Sequence, residues 1–294
     1  MDIILDKLLI YSTKNKRLLE ALNLVKDFEL VQKPTFFANM FNKTKQIVDI
    51  YFYDGKLEKY NIELLQNAKL IIVNSNSQKE FLENKINTID KQKIHVIYPY
   101  VNFDLYYDKK IKKDFKTLYN IPKKSKIIFF RSNNLSKNGI KQFLSIVSNL
   151  HEKNFSVVIE STKKEIEQLK LQLGLMRLNF QIILVEDYKQ KEELFMISDI
   201  FLFPSSTRFF NLDIFRAAYY KNAIFISENN YASELIDTFA TIELKDNIST
   251  IFKIDALLKN KQELKNIKTT NFNELMPYTF SKHFSTLQNY LNEI

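Results

Sequence analysis

Short apolar runs alternate with amphipathic stretches along nearly the whole chain, and this alternation narrows the possible folds more than any other feature. An apolar run of about four to eight residues suits a strand buried on both faces, while apolar residues three and four apart suit a helix lying on a sheet. Lys7–Ser12 reads as a strand, and Asn15–Phe28 follows as a helix with Leu18, Leu22 and Val25 on one face. Gln46–Tyr53, Lys69–Asn74 and Lys93–Val101 read as further strands, with a helix over Ser77–Lys85. The pattern restarts after residue 125. Strands are predicted at Lys126–Phe130, Ser156–Glu160, Gln181–Val185, Ile200–Pro204 and Ala223–Ser227. Between them lie a helix with Ile140, Phe143, Leu144, Val147 and Leu150 on one face, then helices at Lys163–Leu173, Lys191–Ile197 and Leu212–Tyr220. Two more helices are expected near Ser249–Leu258 and Ser281–Asn292.

The expected class is α/β, with two Rossmann-like domains whose parallel sheets face a central cleft. Residues 1–107 form the shortened N-terminal domain of this reading and 108–125 a lysine-rich interdomain linker. Residues 126–275 form the C-terminal domain, and 276–294 a final helix packing back toward the first domain. At 294 residues the chain can bury a substantial core in each half.

Composition removes several kinds of chemistry. There is no cysteine, which excludes disulfides, thiolate metal sites and cysteine nucleophiles. The three histidines, His95, His151 and His283, are far apart and lack ligand spacing, so no metal site is expected. The opening MDIILDKLLIYS interrupts its apolar run with Asp6 and Lys7, and no run reaches the ~20 apolar residues of a membrane span. The expectation is a cytoplasmic protein. Of the net charge of +9, residues 108–126 supply eight lysines against two aspartates, hence +6. Peripheral contact with the inner face of the cell membrane is the partner such a segment suggests, and no motif supports nucleic acid.

Glycine is scarce: only Gly55, Gly139 and Gly174 occur. Strand-to-helix turns that cradle phosphates usually need glycine, because a Cβ blocks the backbone's approach. Neither a Walker A motif nor a G-x-G-x-x-G run is present, which argues against ATP hydrolysis and ordinary dinucleotide binding.

Four segments in order carry a resemblance. These are AKLIIVNSNSQ at 68–78, KIHVIYPYVNFDLYY at 93–107, LYNIPKKSKIIFFRSNNLSKNGIKQFL at 118–144 and EELFMISDIFLFPSS at 192–206. Together they resemble family-4-type glycosyltransferases of the GT-B fold, from the end of their N-terminal domain through their donor domain. The resemblance implies transfer of a sugar, with retention, from a nucleotide-sugar to a glycan, lipid-linked or protein acceptor. It implies no bound metal and no cofactor beyond the nucleotide-sugar as co-substrate. Arg131 and Lys137 match the family's diphosphate-binding cations, with one extra residue between them. Fixed cations there stabilise the departing diphosphate. Ser205, Ser206 and Thr207 follow the strand whose carboxyl end faces the donor.

The departures are equally specific. The family's E-G-F-G-L-x-x-x-E-A run corresponds to Arg208, Phe209, Phe210, Asn211 and Leu212, then Arg216 and Ala217. Arginine stands at both glutamate positions, and a guanidinium cannot accept the hydrogen bonds those glutamates accept. Glycine positions carry Phe130, Tyr100, Phe209, Asn211 and Lys221, bulk expected to intrude on a diphosphate. The glycine-rich loop after the first strand is replaced by Ser12, Thr13 and Lys14. Tyr53 and Asp54 fall near an acceptor-side His-Asp pair and read as packing residues. Two expectations follow. The chain is either a divergent transferase, or a non-catalytic relative serving as a binding module or partner subunit of an active glycosyltransferase.

Overall fold

The computed structural model describes residues 7–12, 16–31, 47–55, 57–101, 108–243 and 247–292. Thr13 and Lys14 lie outside the described residues. The chain divides into two compact units, Met1–Pro99 with Phe280–Ile294, and Tyr100–Thr279.

In the first unit, β1 (Leu8–Tyr11), α1 (Lys16–Asn23), β2 (Phe28–Leu30), β3 (Ile50–Phe52), α2 (Lys59–Asn67), β4 (Leu70–Val73), α3 (Asn76–Lys85) and β5 (Ile94–Val96) follow in order. The sheet order is β2-β1-β3-β4-β5, and every pairing is parallel. Side chains alternate across a strand, so this sheet has an apolar layer on each face. Tyr51, Leu64, Leu65 and Leu82 belong to one layer; Ile10, Leu18, Ile50 and Ile72 belong to the other. The final helix, Phe280–Leu291, adds Leu287 and Leu291 to the second layer. Tyr53 is buried in the first layer.

The second unit contains α4 (Lys109–Leu118), β6 (Lys126–Arg131), α5 (Ile140–Ser148), β7 (Phe155–Ser161), α6 (Lys163–Leu173), β8 (Gln181–Glu186), α7 (Lys191–Ile197) and β9 (Ile200–Phe203). It continues through α8 (Asp213–Tyr219), β10 (Ala223–Ser227), β11 (Thr241–Ile242), α9 (Asn247–Lys259) and α10 (Lys261–Leu275). Its parallel sheet runs β11-β10-β9-β6-β7-β8. Phe129, Phe130, Phe201 and Phe225 fill the centre without exposure. The chain is thus two Rossmann-like α/β units.

Several elements differ from the reading of the sequence, which also placed no helix at α2 and no strand at β11. Residues 109–118, expected in a linker, form α4, whose Asp108 caps the helix by accepting from the Lys110 N–H at 2.7 Å. That helix belongs to the second unit. The edge strand β2 was read as the end of a helix, being only three residues long and mostly exposed. Helix α10 buries only Leu264, Asn271 and Leu275, too sparse an apolar face to stand out in the sequence.

A buried carboxylate ties α4 and α10 to the sheet. Asp199 Oδ2 accepts from Lys112 Nζ at 2.9 Å and from the Ile127 N–H at 3.1 Å, while Oδ1 accepts from Lys268 Nζ at 2.8 Å. Burial alone would raise its pKa, but the two ammonium groups outweigh burial and hold it well below the usual carboxylate range. Asp199 immediately precedes β9 and Ile127 is the second residue of β6, so this anchor sits at the amino edge of the sheet.

Candidate functional site

The carboxyl edge of the second sheet gathers the residues singled out from the sequence. Arg131 ends β6, and the following loop carries Lys137 and Gly139 into α5. Gly139 has φ +93°, and a Cβ there would run into the Pro204 carbonyl. The chain can turn there only without a side chain, bringing this loop against the loop after β9. The junction is tied by the Thr207 hydroxyl, which donates to the Lys137 carbonyl at 3.0 Å. Ser205 is buried and its hydroxyl accepts from the Thr207 N–H at 3.2 Å, whereas Ser206 is exposed.

Arg131 does not face solvent as a free cation. Its side chain is 11% exposed; Nε donates to Glu160 at 2.9 Å and Nη1 to Asp213 at 2.7 Å. Burial lowers its pKa, but the carboxylates of Asp213 and Glu160 outweigh this and hold it above the ordinary value. Asp213, in the first turn of α8, also accepts from Arg216 Nη1 at 3.0 Å, and Arg216 Nε donates to Glu192 at 3.3 Å. The result is a chain of charges, Glu160–Arg131–Asp213–Arg216–Glu192, with two cations and three anions. Arg216 therefore holds the aspartate that holds Arg131.

The loops beside this chain are also stitched. The Asn211 N–H donates to Asn230 Oδ1 at 3.1 Å, and the Tyr231 N–H to the Phe209 carbonyl at 3.0 Å. Asn230 Oδ1 also accepts from the Ala232 N–H, and Asn211 Oδ1 from the Asp213 N–H. Those backbone donors fix both amides with the oxygen inward, leaving the two buried Nδ2 groups without an acceptor among the described residues. Phe210 stacks on Phe215 at 6.0 Å and Phe209 meets Phe203 edge-on at 5.9 Å.

The glycine replacements do not all act as expected. Phe130 does not intrude on the edge; it is fully buried and packs on Phe143 and Phe203 at 5.0 and 5.6 Å. Lys221 keeps the left-handed backbone that glycine favours, at φ 55°. On the two loops tied by Thr207, Lys137 and Arg208 are exposed and make no ion pair with a described residue. Sequence reasoning found both arginines and missed Glu160, Asp213, Glu192 and Asn230. The only local signal was the Asp213–Arg216 spacing of one helical turn, together with a glutamate ending an apolar strand. Among the described residues, no three His, Asp or Glu side chains gather to hold a metal. No described helix is long and apolar enough to cross a membrane.

No protein-family model and no curated protein matches the chain by sequence. Solved structures do match it by fold. HepE (Alr3699) of Anabaena, solved with UDP and glucose, superposes with TM-score 0.73 at 12% identity, covering 97% of this chain and 78% of that one. A glycosyltransferase from Rickettsia africae gives 0.72 at 16% identity, covering 97% and 89%. The GtfA/B complex gives 0.62 at 13% identity, covering 83% of this chain and 52% of that one. With two Rossmann-like units of parallel sheet and these structural neighbours, the chain has the fold of the GT-B glycosyltransferases.

Proposed function

We propose that this chain works in glycan assembly as a glycosyltransferase-like protein with a closed donor site, serving as a binding module or as the partner subunit of an active glycosyltransferase. The carrying observation is the position of Arg131 between Glu160 and Asp213. A diphosphate approaching this edge meets a cluster with one net negative charge instead of a free guanidinium. Its arrival would have to break two charge-assisted hydrogen bonds that together satisfy Arg131. Arginine at positions 208 and 216 also removes the acceptors that a sugar and a ribose would use. The fold match to a two-component assembly, the GtfA/B complex, supports the partner reading.

The second reading is transfer from a nucleotide-sugar to a glycan, lipid-linked or protein acceptor. It is favoured by one observation: Lys137 and Arg208 stay exposed on the two stitched loops and make no ion pair among the described residues. The fold match to HepE, solved with UDP and glucose, supports a nucleotide-sugar as its donor. Calorimetric titration of UDP, GDP, CDP and ADP, with their sugar conjugates, separates the two readings when run on wild type, Asp213→Ala and Lys137→Ala. Under the closed-site reading wild type binds none of them, and freeing Arg131 in Asp213→Ala either leaves this unchanged or opens weak binding. Tight binding by wild type that Lys137→Ala abolishes, with release of the nucleoside diphosphate when acceptor is added, would overturn it.

A further inference from the structure

The amino edge of the second sheet holds a different feature. A groove of about 780 Å³ runs along α4. Lys109, Lys112, Lys113 and Lys116 line it, at the i, i+3, i+4 and i+7 positions of one helical stripe. Lys123 completes the lining beside Ile121 and Pro122. Asp114 within the helix and its cap Asp108 are not part of the lining. Lys112 is committed to Asp199, and Lys116 donates to the carbonyls of Lys123 and Ser125 at 2.9 and 2.6 Å. Lys109, Lys113 and Lys123 are exposed and form no ion pair among the described residues.

This arrangement is electrostatically unfavourable for the helix by itself. Lys109–Lys113 and Lys112–Lys116 are like charges at i, i+4, which weaken a helix. Lys109 and Lys110 also occupy the first turn, where the helix dipole disfavours cations and the Asp108 cap is the acidic group beside them. An anion in the groove relieves the Lys109–Lys113 repulsion, whose two ammonium groups have no ion pair among the described residues. A solvated lysine face has no such concavity; this one has a volume within the roughly 300–1,000 Å³ of small-ligand sites. Lysine presents a compact point charge suited to phosphate, and no arginine lines the groove, as forked recognition of nucleic acid would favour.

We propose that the lysine groove of α4 is a binding site for a phosphate-bearing ligand, separate from the Arg131 edge. The two sites lie at opposite ends of β6, whose six residues span about 17–20 Å. The phosphate comes from a soluble compound or from a lipid headgroup, and the probes distinguish them. Inorganic pyrophosphate and tripolyphosphate are titrated calorimetrically at low salt, and phosphatidylcholine vesicles with and without phosphatidylglycerol are used in co-sedimentation. Each is run on the full chain and on the Lys109→Glu, Lys113→Glu, Lys123→Glu triple variant. Lys112 and Lys116 are spared because they hold the fold together, and circular dichroism melting checks that the variant folds.

Binding of pyrophosphate or tripolyphosphate that the variant weakens at least about tenfold, and that added salt suppresses, supports a soluble phosphate ligand. Vesicle binding that needs phosphatidylglycerol and is lost in the folded variant supports a headgroup. Binding equal in wild type and variant overturns the proposal. So does binding of neither probe, or retention of single-stranded RNA while both probes fail. If the triple variant does not fold, Lys113→Gln alone is used, and an unchanged affinity overturns the proposal in the same way.

Discussion

Arg131 and Asp213, 82 positions apart in the chain, are joined by a 2.7 Å ion pair in which each side chain is nearly enclosed. Asp213 is the hinge of the charge chain, because it accepts from both Arg131 and Arg216. Asp213→Ala leaves two arginines around a vacated anion site, one of them 11% exposed. A loss of about 3 kcal/mol is expected, since breaking an enclosed pair strands its charge. Urea unfolding of the variant against wild type measures it. A loss below half that size would mean solvent already screens the network.

The two left-handed glycines should respond differently to the same substitution. Gly139 at φ +93° faces the Pro204 carbonyl, while a Cβ on Gly55 at φ +94° meets nothing within 4 Å. Gly55→Ala should cost only the backbone strain, roughly 1–2 kcal/mol. Gly139→Ala adds a backbone collision to that strain and should cost about 3 kcal/mol or more. Melting temperatures of the two variants decide whether the contact between the loops is as tight as the geometry requires.

Asp199 makes the second unit sensitive to acid. Its folded pKa lies well below the ordinary value because Lys268 and Lys112 outweigh the burial. The unfolded chain therefore takes up the proton first, near the ordinary value of about 4. The stability Asp199 contributes is fully present above that pH and is lost as pH falls toward the folded value. Asp199→Asn should cost roughly 3–5 kcal/mol at neutral pH and flatten the acid limb of the stability curve. Chemical denaturation across acidic pH tests both; an unchanged acid limb would sink the assignment.

His283 gives the first unit a milder dependence nearer neutrality. Burial lowers its pKa, although the hydrogen bond to the Tyr98 carbonyl at 2.9 Å works in the opposite direction. In that bond the ring Nδ1–H donates to the carbonyl oxygen. With the folded value below the unfolded one, stability is intact above the ordinary histidine pKa of about 6.5 and declines as pH falls below it. Thermal unfolding between about pH 7 and pH 5 should therefore show a larger drop for wild type than for His283→Gln. Parallel curves for the two proteins would place the titration elsewhere.

Much of the fold was legible in the sequence because strand and helix periodicity is local. The apolar runs of β6, β7, β9 and β10 and the face of α5 need only their own residues to be recognised. The same reading located Arg131, Lys137, Arg208 and Arg216 by type and order, because each stands at a definable distance from a strand end. Elements with weak local signals, such as β2 and α10, were not legible.

What the tertiary structure decided is which charges meet. Glu160 lies 29 residues from Arg131 and Asp213 lies 82 away, so only the parallel stacking of β6, β7 and β9 brings them to one edge. Likewise the lysines of 108–126 read as a solvated linker until helix periodicity and the fold put five of them along one groove. Sequence determines the number and kind of charges; the sheet order determines whether a charge is offered to a ligand or consumed by a neighbour. That difference arises because electrostatic energy depends on distance and burial, which are properties of the packed chain and not of its residue order.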